Sequence, residues 1–351
     1  MERLRGFVSA CVSSWTNLAL SCLALAVAAK LAIDLCQWAI VHAAWTASSG
    51  RDCPPDGACW GFIRERWDLV LYGPYPAAER WRVIVTGLAG LLGLGLLMSP
   101  LARHKGRLAA ALLVAYPALA FALLRGGVIG LPLVPSAMWG GLMLTLVVAG
   151  ATIVAAVPMG LGLALARRSK LPVVGAAAAL YIDIMRGLPL IGILFVAIVM
   201  FPFFLPPNVE IEKLPRALAA FSLFNAAVLA EVFRGGLQSV PSGQSEAATA
   251  LGLGHWRTTF LVVVPQAVAV SLPGVVNVCV SIIKETTLVL IVGLFDLLGV
   301  LQSGVSDPNW LTSDEVRRTG YFFAGVGFWI ICFALSRYGA RIERRLGPAR
   351  R

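Results

Sequence analysis

Lys284 and Glu285 stand side by side in an apolar run from about 268 to 290, and Thr286 and Thr287 follow at once. If that run enters a membrane near Ser271, the pair lies roughly 20 Å along a helix rising ~1.5 Å per residue. Two ionisable groups at that depth are costly unless they face a partner or a wet cavity, and by default they mark a functional site. Pro273-Gly274, just upstream, can loosen the helix that presents them. A structural role competes: the pair can brace neighbouring helices or reach the outer interface along their stems. Adjacent helical residues also point about 100° apart, so one small ligand is hard to share. Two further pairs, Asp183 with Arg186 and Glu231 with Arg234, sit three residues apart, a spacing that suits pairing on one helix face. Both read as structural support.

Other chemistry is missing. None of the five lysines follows a glycine, so the Gly-Lys-Ser/Thr loop that cradles nucleotide phosphates does not occur. The chain cannot hydrolyse ATP by that route. His42 lies at the end of an apolar run, and His104 and His255 lie in polar connections. They are too scattered for a metal site or for a serine–histidine pair inside a membrane. The expectation is no catalytic residue and no metal.

The elements that must carry these residues are set by composition. Of 351 residues, 58% are hydrophobic and 13% charged, against about 45–50% and about 25% in a soluble domain. Several unbroken apolar runs reach the length of about 20 residues that crosses ~30 Å of hydrocarbon as a helix, and alternating barrel strands give no such runs. The fold class is therefore an all-α integral membrane protein. About eight transmembrane helices are expected, near 18–42, 83–99, 108–124, 139–166, 188–205, 216–235, 268–290 and 320–337. Between 171 and 205, Gly187 and Pro189 interrupt the pattern, so a partly amphipathic entry with Tyr181, Asp183 and Arg186 precedes the span proper.

A net charge of +11 raises the question of nucleic acid, but the cations cluster in short connections: His104 to Arg107, Arg167 to Lys170, and Arg341 to Arg345. That is the pattern of loops kept on the cytoplasmic side, and it predicts cytoplasmic N and C termini. Met1 to Arg5 is basic, yet the apolar stretch runs on to about Val41 with no clear small-x-small cleavage site, so a retained first span is expected. The external loop at about 43–80 mixes Arg51, Asp52, Asp56, Arg64, Glu65, Arg66 and Asp68 with Trp45, Trp60, Trp67 and Tyr72. Its aromatics suit interfacial anchoring, and it reads as a packed cap. Cys11, Cys22, Cys36, Cys279 and Cys332 fall in or beside spans and behave as small hydrophobes. Cys53 and Cys59 bracket Pro-Pro-Asp-Gly-Ala, where a turn can bring them together. A disulfide suits an oxidising compartment, and two free thiols are the alternative.

The largest cytoplasmic segment is expected at about 235–265. Pro241 opens a short helix of good formers (Glu246, Ala247, Ala248, Ala250, Leu251), with Ser242 a candidate N-cap. Gly252 or Gly254 supplies the left-handed residue that stops it, and Trp256 to Val263 resumes a helical pattern toward Pro265. The small Ala247-Ala248 face lets another protein's backbone come close.

Glu246-Ala247-Ala248, three residues, Gly252, nine residues, then Val262-x-Val264-Pro265 resembles the EAA loop of binding-protein-dependent ABC importer permeases. Val262 and Val264 stand where isoleucine and leucine are more usual. The resemblance covers about 138–351. Arg186-Gly187-Leu188-Pro189-Leu190, Glu231 to Leu237, Pro265-Gln266-Ala267 and Lys284-Glu285-Thr286-Thr287-Leu288 are similar to the polar amino-acid branch. The first three spans, the Cys53/Cys59 loop and Phe295 to Gly299 extend the likeness to the longer M-type permease of general L-amino-acid transporters.

The resemblance implies a type I permease core of five helices, 138–351, preceded by a three-helix N-terminal extension, 1–137. It implies that Glu246, Ala247, Ala248, Gly252 and Leu253 dock on a cytoplasmic ATPase. The partners it implies are a second permease subunit, two ABC ATPase subunits that hold ATP and Mg, and a periplasmic solute-binding protein. The lipid would be that of a bacterial inner membrane, and no nucleic acid is involved. The substrate would be an L-amino acid, whose ammonium and carboxylate suit a lining that includes Lys284, Glu285, Thr286 and Thr287. The competing reading is a secondary transporter or channel without an ATPase, for which Pro158, Pro189 and Pro273 within spans give some support.

Overall fold

The computed structural model describes residues 13–99, 105–128 and 130–346. Arg3, Arg5, His104 and both chain ends, expected on the cytoplasmic side, and Cys11, expected in or beside a span, lie outside the described residues. Among the described residues, seven helices are long and apolar enough to cross a membrane: Trp15–Val41, Ala77–Leu97, Gly106–Arg125, Gly141–Arg167, Lys213–Ser239, His255–Val292 and Asp314–Arg344. Pro172–Gly187 and Leu190–Phe204 make an eighth as a pair bent by 100°. The bend sits where Leu188 and Pro189 turn extended, because proline lacks the N–H for the helical ladder and disfavours helical geometry in the residue before it.

The His255–Val292 segment is longer than its apolar run suggests. Helix begins at His255, widens into a π turn over Thr258–Val263 and continues as Val264–Glu285. It then tightens into a 3-10 turn over Thr286–Val292. Pro265 falls in the first turn after the widening, where a missing N–H costs least.

The chain divides into two compact units. One comprises residues up to Trp67 with Gln302–Phe323. Its first span, Trp15–Cys36, is capped by Ser14, whose hydroxyl accepts from the Asn17 amide at 3.2 Å. The Trp38 indole donates to Glu315 at 2.7 Å, the Trp60 indole to the Ala39 carbonyl at 2.7 Å, and the Cys59 amide to Thr319 at 2.8 Å. Phe62 meets Trp310 edge-on at 5.3 Å, and Arg66 pairs with Asp307. Hydrogen bonds from the Ser48 hydroxyl and amide, then from Ser49, hold the Asp52 carboxyl below its ordinary pKa. These residues of the 43–80 loop form a packed cap, while Trp45 and Trp67 stay largely exposed.

Cys53 and Cys59 are joined in a disulfide. In intact cells, a membrane-impermeant thiol reagent is therefore expected to label two more cysteines after reduction than before it. Labelling of both without reductant refutes the bond, and labelling only after the inner membrane is breached refutes the external placement.

The other unit comprises Asp68–Leu301 and the chain from Ala324 onward. Gly141–Arg167 and Lys213–Ser239 pack along their lengths through small side chains: Ala156, Ala164, Ala226 and Ala230 are all fully buried. A Cβ on Gly160 would stand 2.7 Å from that of Leu229 and 3.0 Å from the Ala226 carbonyl. Close approach through small residues is how helices gain contact in lipid, where apolar burial alone drives little association. A larger-residue cluster (Trp139, Leu144, Leu194, Leu214, Phe221) fills the opposite part of this core.

Candidate functional site

Lys213–Ser239 ends in an extended Val240-Pro241, and Ser242–Ala250 forms a separate short helix. Pro241 occupies the N-cap position and Ser242 is the first helical residue, so the expected serine cap is not made. The reason lies in the chain: Pro241, at ψ 140°, is already extended, as a cap must be.

Gly252 stops the helix at φ +80°, and the Leu253 amide reaches back to the Ala248 carbonyl at 3.1 Å. That is the left-handed stop that glycine adopts without steric cost. Gly254 is ordinary extended backbone. Thr258 then ties the next helix to the turn: its amide donates to the Gly254 carbonyl and its hydroxyl to that of Leu253, at 2.9 and 3.2 Å. Gln266 bridges back to Gln244 at 3.3 Å. The result is a rigid helix, stop and helix.

Of the five residues expected to dock, Ala248 is buried and fixes the short helix in place. Glu246, Ala247 and Gly252 are exposed, and Leu253 is partly so. Glu246 makes no ion pair or side-chain hydrogen bond among the described residues. Leu251 is 83% exposed and Trp256 is 71% exposed. A polar helix with a free carboxylate and flanking bare apolar side chains is a surface built to be covered.

Just before this loop, three arginines converge on one of the expected support residues, Glu231, and two of them, Arg186 and Arg234, were expected there as well. Glu231 takes two bonds from the Arg234 guanidinium at 2.8 and 2.9 Å, one from Arg167 at 2.6 Å, and faces Arg186 at 3.6 Å. Asp183 and Arg186 do not pair with each other: Asp183 pairs with Arg167 at 3.4 Å. The correction has a simple cause. The more buried Glu231 carboxylate, only 16% exposed, collects the arginines of three helix ends. Arg168 adds a bond to the Leu237 carbonyl at 2.9 Å. Sequence reasoning took Arg167 and Arg168 only as loop cations. Their place at the end of an apolar run was the available signal.

The Lys284 to Thr287 group is split. Lys284 is exposed, while Glu285 turns toward Asn225 of Lys213–Ser239, 3.4 Å away. The hydroxyls of Thr286 and Thr287 donate to the Ile283 and Lys284 carbonyls at 2.8 and 2.9 Å. The charged pair thus parts as adjacent helical positions must, and Asn225 is a neighbour no spacing rule pointed to. Among the described residues no group of three or more histidine, cysteine or acidic side chains is placed to hold a metal.

Residues 156–348 match the protein family described as binding-protein-dependent transport system inner membrane component. The chain is 42% identical over 338 residues to the inner membrane amino-acid ABC transporter permease protein YhdY of Escherichia coli strain K12, covering 96% of this chain and 91% of that one. It is 33% identical over 396 residues to the glutamate/glutamine/aspartate/asparagine transport system permease protein BztC of Rhodobacter capsulatus, covering 94% and 90%. Among solved structures, it is similar to a chain from the crystal structure of an amino acid ABC transporter with histidines. The identity there is 28% and the TM-score 0.50, over 58% of this chain and 92% of that chain.

Proposed function

Because the chain belongs to the family of binding-protein-dependent transport system inner membrane components, we propose that it is the permease subunit of an ATP-driven importer of L-amino acids. The observation that carries this reading is the exposed Ser242–Ala250 helix with its Gly252 stop. On a secondary transporter that rigid, uncovered element has no task. The core would be 138–351 and the extension 1–137, with both termini cytoplasmic.

In the proposed cycle, a periplasmic binding protein delivers the amino acid, and two ATPase subunits hold ATP and Mg and close on them. Glu246, Ala247, Ala248, Gly252 and Leu253 take up that movement. A second permease subunit completes the central pathway. ATP then biases a two-state membrane element through contacts that differ between its states. The chain's own part is positional: a short helix rigid enough to transmit displacement, joined to the Glu231 cluster by less than three helical turns.

Purified from its native membrane, the chain is expected to bring down an ATPase with a Gly-Lys-Ser/Thr loop. With its partners reconstituted, uptake follows ATP hydrolysis. Recovery of the chain alone, with uptake driven by an ion gradient in the absence of ATP, overturns the proposal.

Lys284, Glu285, Thr286 and Thr287 are proposed as part of the substrate path, with Asn225 holding Glu285. Of Lys284→Met and Glu285→Gln, at least one should keep ATP hydrolysis stimulated by the binding protein yet lose about ten- to a hundredfold in uptake. That corresponds to ~1.5–3 kcal/mol for a charge-assisted hydrogen bond. If both carry every tested amino acid at the wild-type rate, the pair is outside the pathway.

A further inference from the structure

A cavity of about 360 Å³ lies beside the last two turns of Gly141–Arg167. Met159, Gly162, Leu163 and Ala166 line it from that helix, Tyr181 from Pro172–Gly187 and Leu223 from Lys213–Ser239. All six belong to one compact unit. The volume falls within the ~300–1,000 Å³ of ligand sites. Met159 and Leu223 remain 39% and 37% exposed, so the cavity opens at the surface of the chain. The one hydroxyl in the lining, that of Tyr181, donates to the Leu223 carbonyl at 2.9 Å. An amino acid, with an ammonium and a carboxylate to satisfy, finds no partner in this lining, whereas hydrocarbon needs none.

Met159, Leu163 and Arg167 follow at intervals of four, one above the other on a single helix face. The apolar lining therefore leads, within about 12 Å, into the Glu231 cluster at the end of the span. The basic connection at 167–170 marks that end as the cytoplasmic one. Over 159–188 and 223–239, which form the cavity and the cluster, the charged residues are Arg167, Arg168, Lys170, Arg186 and Arg234 against Asp183 and Glu231. Five cations stand against two acids, so positive charge is left over. Arg167 and Arg234 are held by the Glu231 carboxylate at 2.6 to 2.9 Å. Arg186 approaches it only to 3.6 Å and keeps 44% of its side chain exposed, and Lys170 is exposed as well.

We propose that the cavity and these cations together seat one anionic phospholipid of the cytoplasmic leaflet. An acyl chain lies along Met159, Leu163 and Leu223, and the phosphate sits on Arg186 and Lys170. The occupant follows from the two halves of the site. A lining with no free hydroxyl or charge takes hydrocarbon, and the surplus cations at its inner end take an anion. A phospholipid carries both on one molecule, in that order along the membrane normal. Basic recesses between spans on the cytoplasmic side hold anionic headgroups in this way, and the bond from a guanidinium or ammonium to phosphate is charge-assisted. The proposal rests on the membrane reading of Gly141–Arg167 and goes beyond the transport function.

The test uses the full chain, delipidated in detergent, with phosphatidylglycerol, phosphatidylcholine of the same acyl chains, or inorganic phosphate added. Phosphatidylglycerol is expected to raise the thermal midpoint at about tenfold lower concentration than phosphatidylcholine, and inorganic phosphate to leave it unchanged. Arg186→Gln combined with Lys170→Gln should abolish that preference, while Arg341→Gln, which removes a cation elsewhere, should keep it. Gly162→Leu tests the other half of the site. A Cβ at Gly162 meets nothing within 4 Å, so the new side chain enters the cavity without a clash, and leucine suits a helix better than glycine. That variant should keep at least the wild-type midpoint without lipid and lose the response to both lipids. Equal responses to the two lipids, a response to inorganic phosphate alone, or an undiminished response in Gly162→Leu overturns the proposal. In native membranes, a photoactivatable group attached at Gly162→Cys is expected to label phospholipid above the background set by the exposed native Cys22 and Cys36. Label on a polypeptide instead shows that a partner chain fills the cavity, and overturns the proposal as well. None of these readouts requires transport, so the importer reading stands or falls separately.

Discussion

Glu246→Arg is expected to reduce amino-acid uptake at least about a hundredfold while the chain still inserts in the membrane. Glu246 is exposed and bonded to nothing among the described residues, so its replacement disturbs no internal contact. Its whole effect should fall on whatever covers Ser242–Ala250. Placing a charge of the wrong sign in a fitted interface costs several kcal/mol, and each ~1.4 kcal/mol is tenfold. Gly252→Val asks a separate question. No atom lies within 4 Å of a Cβ added there, yet the backbone sits at φ +80°. A β-branched side chain is strongly disfavoured at that angle. The variant should therefore reorient the short helix with no steric clash, and uptake should fall with stimulated ATP hydrolysis. Proteoliposome uptake and ATPase rate, both normalised to inserted protein, are the measurements. Wild-type uptake in Glu246→Arg sinks the docking role outright.

The loop was legible because every device in it is local. Proline at the start, small residues within and glycine at the stop each act within one turn, so residue order alone states the geometry. The bend at Leu188-Pro189 was readable for the same reason. The eight apolar runs follow from the thickness of a bilayer, which is a length criterion and needs no knowledge of neighbours.

What escaped depends on residues distant in sequence. Nothing near these residues in sequence announces that the Cys59 amide would donate to Thr319, or that Trp38 would find Glu315. Nothing near Asp183 says that Arg167 offers a better partner than Arg186. A three-residue spacing shows that two charges can meet. Whether they do depends on which acid is most buried and how many cations converge on it. The length of the seventh span was missed for a related reason. Pro265 reads locally as a boundary, but a π turn on its N-terminal side absorbs the break and helix continues.

Glu231→Ala should be the most destabilising single change near the loop, by about 3 kcal/mol. That is the lower end of the range for breaking a buried pair, chosen because the three arginines keep a quarter to nearly half of their side-chain surface exposed. Without the carboxylate, Arg167, Arg186 and Arg234 face one another with no shared acid, and Asp183 is left as a partial partner for Arg167 alone. Glu231→Gln retains an oxygen that accepts one guanidinium bond, and should lose less. Glu231→Asp keeps the charge but shortens the reach by one methylene, so the 3.6 Å approach to Arg186 is the first to go. The expected order of thermal midpoints for the purified chain in detergent is wild type, Asp, Gln, Ala. The functional consequence follows from position. The cluster joins the ends of Gly141–Arg167, Pro172–Gly187 and Lys213–Ser239 immediately before the chain enters the loop. Movement imposed on Ser242–Ala250 reaches Gly141–Arg167 and Pro172–Gly187 through it, besides the direct route into the helix that begins at His255. Loosening it should lower uptake more than ATP hydrolysis, because the proposed docking surface is untouched. A Glu231→Ala chain with a wild-type midpoint and wild-type uptake would remove the cluster from both roles.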